Sequence, residues 1–104
     1  MKNDEFEIIP EKTKDGIKYF LRGRVNSYSA DELQHKMNEA IKEGHKLIVL
    51  NMMKVEYISS AGIRVILKTY KDANEACSKF GIEMPSHNVK NVLGMTALDE
   101  LLIS

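Results

Sequence analysis

Four consecutive aliphatic residues, Leu47, Ile48, Val49 and Leu50, with Met52 and Met53 just beyond, constrain the fold more than any other feature of this sequence. A strand with one wet face alternates apolar and polar residues, whereas an unbroken run is buried on both faces, as in the centre of a parallel sheet. Parallel neighbours need long crossovers, and the segments on either side of the run have helical spacing. Upstream, Leu33, Met37, Ala40 and Ile41 make one apolar stripe, with Gly44 following as a left-handed C-terminal stop. Ser29-Ala30-Asp31-Glu32 matches a capping box and predicts that this helix begins there. Downstream, Ile63, Ile66, Leu67, Tyr70, Ala73 and Cys77 form a second stripe, backed by Arg64, Lys68, Lys71, Asp72 and Glu75 on the water side.

The flanks complete the pattern. Phe6 and Ile8 alternate with Glu5 and Glu7 and predict an edge strand over residues 5–9, ended by Pro10. A polar stretch closing on Asp15-Gly16 leads into a β-rich segment from Ile17 to Val25, which reads as a hairpin. Phe80 and Gly81 break the second helix, and Ile82 to Met84 gives a short fourth strand stopped by Pro85. Val89, Val92 and Leu93 mark a last helix, and Leu98, Leu101 and Leu102 a terminal apolar turn or helix. The order is β-β-α-β-α-β-α. The fold class is therefore α/β: one small domain over residues 1–104, with a mostly parallel four-stranded sheet, an antiparallel edge strand and helices packed on it.

Composition narrows the function. A chain of 104 residues supports one core and no separate catalytic subdomain. With 15 Lys and Arg against 15 Asp and Glu there is no basic excess to attract nucleic acid or an anionic membrane. No apolar run approaches the roughly 20 residues of a membrane span. The lone Cys77 forms no internal disulfide, and Met1-Lys2-Asn3-Asp4-Glu5 does not read as a signal peptide, so a cytoplasmic location is expected. His35, His45 and His87 are scattered, which argues against a metal site, and no cofactor is expected. There is no Gly-x-x-x-x-Gly-Lys loop and no Gly-x-Gly-x-x-Gly fingerprint. Met37, Met52, Met53, Met84 and Met95, within or beside the apolar stripes, read as core filler. Arg64, Lys68 and Lys71 read as a solvated helix face that gains meaning only beside a binding site.

That leaves the junction between the central strand and the second helix, at the sheet edge where α/β folds place their sites. Its hydroxyls are Ser59 and Ser60. On spacing alone Ser60 reads as an N-cap, with Gly62 allowing close backbone packing. The same geometry also tolerates a phosphate, since a helix N-terminus carries about half a positive charge and free N–H groups. A serine hydrolase would need Ser60, Asp72 and His87 as a triad. Ile58 stands where the first Gly of a nucleophile elbow belongs, the chain is too short for a hydrolase sheet, and no enzyme activity is expected.

Gly23-Arg24-Val25-Asn26-Ser27-Tyr28-Ser29-Ala30, Leu47 to Asn51, and Tyr57 to Leu67, most specifically Ser59 to Leu67, resemble a STAS domain of the bacterial anti-sigma factor antagonist type. Aligned on Gly62, Ser60 matches the serine phosphorylated in that family, with Ser59 a second possible acceptor. The resemblance implies partner switching. Unphosphorylated protein would bind an anti-sigma factor with serine kinase activity, phosphorylated protein would release it, and a serine phosphatase would reset the switch. The implied docking edge is Asn26, Tyr28, Ser59, Ser60, Gly62, Arg64 and Lys68. An alternative is a STAS scaffold subunit of a larger signalling complex that does not act through sigma release; the oligomeric state stays open. Ser59 and Asn26 stand where many members have Asp, which removes negative charge beside the acceptor. The chain stops at Ser104, where relatives usually continue into a further helix.

Overall fold

The structure, a computed structural model, describes residues 6–96, 98 and 101–103. Its elements are β1 (Phe6–Lys12), β2 (Gly16–Val25), α1 (Ser27–Lys42), β3 (Leu47–Ile58), α2 (Ser60–Glu75), β4 (Lys79–Glu83), α3 (His87–Met95) and β5 (Leu102–Ile103). The strands form one sheet in the order β1-β2-β3-β4-β5. β1 is antiparallel to β2, and every later neighbour is parallel.

The apolar run sits where its composition requires. Residues Ile48 to Met52 of β3 are all buried, with β2 on one side and β4 on the other. α1 and α2 pack against each other, as right-handed crossovers in a steadily advancing sheet demand. Between helices and sheet lies one core that includes Leu21, Leu33, Met37, Leu50, Ile66, Ile82, Val89 and Leu93. Each such side chain contributes about 1.5–3 kcal/mol through the area it removes from water. β2 shows which face is covered: Ile17, Tyr19, Leu21 and Val25 are buried, while Arg22 and Arg24 alternate with them and are exposed.

Of the methionines expected in the core, Met37 and Met52 are buried, whereas Met53, Met84 and Met95 lie on the surface, at strand and helix ends or on the other sheet face. Several boundaries also differ from those expected. β1 runs through Pro10 to Lys12, because a proline's missing N–H is tolerated on the free side of an edge strand; residue 5 lies outside the described residues. α1 begins earlier, capped by Asn26 in place of Ser29. Asn26 also has a serine three residues on, and its amide oxygen accepts from Tyr28 N–H at 3.0 Å and Ser29 N–H at 3.1 Å. Ser29 supplies the other half of the box, accepting from Asn26 N–H at 2.7 Å. α2 stops before Phe80, which with Gly81 belongs to β4. Cys77 takes the left-handed φ of 60°, Ser78 N–H reaches Ala73 C=O at 2.8 Å and Cys77 N–H reaches Asn74 C=O at 3.1 Å. That is a Schellman closure built without glycine. The terminal apolar stretch is a turn through Leu101 followed by the two-residue β5, which pairs with the otherwise open edge of β4.

Candidate functional site

Two helix N-termini lie side by side at the C-terminal ends of β2 and β3. Val25, the last residue of β2, accepts a hydrogen bond from Ser59 N–H at 2.8 Å, so the residue preceding α2 is tied to the residue preceding the cap of α1. Gly62 lets the elements approach. A Cβ there would stand 2.7 Å from Ile58 Cγ1 and 2.8 Å from Val25 Cγ1, so a larger residue would wedge α2 away from both strands.

The two serines differ sharply in their surroundings. Ser59, half-buried, is the N-cap: its hydroxyl accepts from Gly62 N–H at 3.2 Å. Ser60, expected as the cap, is instead the first helical residue. Ser60 is exposed, and its hydroxyl has no hydrogen bond among the described residues. Neither α1 nor α2 carries an acidic residue in its first turn, so the positive ends of both helix dipoles go unopposed there.

The remaining expected residues fall around this point. Asn26 is fixed as the α1 cap, and Tyr28 projects from the first turn of that helix with 67% of its surface exposed. Arg64 is exposed one turn into α2. Lys68, one turn further, is held by Asp72 at 2.6 Å. Two residues join that were not anticipated: Arg24 and Tyr57 are register partners at the same edge, and the guanidinium carbon lies 4.6 Å from the centre of the Tyr57 ring. Their alternation near the strand ends was the available signal. The hydrolase triad is not assembled. Asp72 stands about 18 Å along α2 from Ser60 at helical rise and binds Lys68, while the His87 ring contacts Asn91.

The family profile for the STAS domain matches residues 8–103. The chain belongs to the STAS domain family. A Bordetella bronchiseptica protein named as an anti-sigma factor antagonist, BtrV, is 36% identical over 55 residues, which cover 53% of this chain and 47% of that one. The matched stretch thus spans under half of that relative's length. Among solved structures, an anti-sigma factor antagonist from Mycobacterium paratuberculosis superposes with a TM-score of 0.84 at 17% identity, over 97% of this chain and 86% of that one. The Bacillus cell fate determinant SpoIIAA in its phosphorylated form superposes with a TM-score of 0.75 at 17% identity, over 94% of this chain and 88% of that one. These structures share the STAS fold with this chain. Among the described residues no helix is long and apolar enough to cross a membrane, and no three His, Cys, Asp or Glu side chains gather as metal ligands.

Proposed function

We propose that this STAS domain is an anti-sigma factor antagonist switched by phosphorylation of Ser60. Unphosphorylated, the edge made by Asn26, Tyr28, Ser59, Ser60, Arg64 and Lys68, with the buried Gly62 packed beneath it, docks on a cytoplasmic anti-sigma factor that is also a serine kinase. The kinase transfers the γ-phosphoryl group of ATP to the Ser60 oxygen, releasing ADP and the hydroxyl proton. A phosphatase returns the serine by hydrolysis.

The observation that carries this reading is the division of roles between the two serines. Ser59 is engaged in capping, and Ser60 is exposed with a hydroxyl that has no hydrogen bond among the described residues. The antagonist part of the reading is supported by the BtrV relative, whose name is that of an anti-sigma factor antagonist. A phosphate adds about −1.5 to −2 charge. Placed inside a contact, it weakens binding 100-fold if it costs about 2.8 kcal/mol. Nothing in the fold has to move.

Affinity capture from the native cell, followed by mass spectrometry of the partner and of the peptide holding Ser59 and Ser60, tests this. The expected result is a kinase-type anti-sigma factor of comparable size, captured by wild type and lost with Ser60→Asp, with phosphate on Ser60. Capture of equal amounts by both forms, phosphate still incorporated by Ser60→Ala, or recovery within a large multi-subunit particle would overturn it.

A further inference from the structure

We propose that Arg64 clamps the phosphate of phosphorylated Ser60 from within the same helix, so that the switch withdraws a cation from the docking edge as it adds an anion. This rests on the reading that Ser60 is the phosphorylated residue.

Residues four apart on a helix are surface neighbours. Helical side chains also lean toward the N-terminus, so Arg64 covers the turn that begins at Ser60. Its guanidinium has the fork geometry that takes two phosphate oxygens at once. Arg64 is exposed and has no hydrogen bond or ion pair among the described residues, so no existing contact has to break. Two other cations near this end of the sheet are otherwise occupied: Lys68 holds Asp72, and Arg24 lies over Tyr57. Carboxylates on the elements meeting here are Glu56 on β3, Asp31, Glu32 and Glu39 on α1, beyond its first turn, and Asp72 and Glu75 at the far end of α2; among the described residues none is paired with Arg64.

The consequence for recognition is twofold. A partner carboxylate that pairs with Arg64 in the unphosphorylated complex loses that pairing when the phosphate takes the guanidinium, and it meets the phosphate's own charge as well. Charge on one residue and capture of another act together.

The test installs phosphoserine at position 60 during translation, so that no kinase is needed. The phosphorus resonance is then followed against pH in wild type, Arg64→Gln, Arg64→Lys and the control Lys71→Gln, each checked for folding by its amide spectrum. A clamp favours the dianion, so the second ionisation, ordinarily near 6, is expected about 0.3 lower in wild type than in Arg64→Gln. Lys71→Gln should match wild type, Arg64→Lys should fall between, and the Arg64 Nε–H resonance should move on phosphorylation. Coincident titrations in wild type and Arg64→Gln, with that resonance unmoved, overturn the clamp. Failure to find Ser60 phosphorylated in cells would instead defeat the switch reading, and the titration with installed phosphoserine would still report on Arg64.

Discussion

Ser59 and Ser60 have the same side chain, and one step along the chain separates a structural role from an available one. Ser59 closes the first turn of α2, whereas Ser60 is exposed and its hydroxyl has no hydrogen bond among the described residues. Ser59→Ala should therefore cost about 1 kcal/mol of stability, and Ser60→Ala should stay within about 0.5 kcal/mol of wild type. Urea unfolding of both variants checks this; equal losses would mean that the hydroxyls share the cap. Gly62 belongs to the same scale. Gly62→Ala improves helix propensity but presses a methyl against Ile58 and Val25 at under 3 Å, so a net loss of about 1–3 kcal/mol is expected. The same unfolding measurement reads it, and a gain in stability would contradict the close approach.

Between elements, the sheet face turned away from the buried side chains of β2 joins strands through a polar cluster. Glu83 of β4 accepts from Asn51 of β3 at 2.8 Å and pairs with Lys18 of β2 at 2.9 Å. Burial pushes the Glu83 carboxyl up, but the hydrogen bonds from Asn51 and Lys18 and the lysine charge outweigh it and hold it below its ordinary value. A depressed carboxyl contributes stability above its unfolded-state pKa and loses it as pH falls through the folded value. Wild type should thus lose more thermal stability than Glu83→Gln as pH falls from neutrality to below 4.5. Parallel acid profiles for the two proteins would remove Glu83 from the account.

Element type was legible in the sequence wherever apolar spacing was long. The β3 run and the stripes of α1 and α2 specified the strand order and the helices over it. Boundaries were less legible, because they turn on single side chains with two plausible partners. Ser29-Ala30-Asp31-Glu32 and Asn26-Ser27-Tyr28-Ser29 both spell a capping box, and only the end of β2 at Val25 decides between them. Cys77 closes α2 in a conformation that sequence rules reserve for glycine. Around the site, the choice of serine followed from alignment on Gly62. The roles of the two serines did not, since a one-residue shift of the helix start exchanges cap and first helical residue.

For the molecule as a whole, equal numbers of acidic and basic residues leave the chain neutral, and a phosphate on Ser60 takes it to about −2. That change is concentrated at one edge, between two helix N-termini tied together through Val25 and Ser59. A domain this small has one core, and on the proposed reading a phosphate on Ser60 would act at its surface. The direct measurement is the dissociation constant of the proposed anti-sigma factor partner, once captured, for protein carrying serine or phosphoserine at position 60, at fixed ionic strength. Binding weakened about 100-fold or more by the phosphate is the predicted result; equal affinity for the two forms would contradict it.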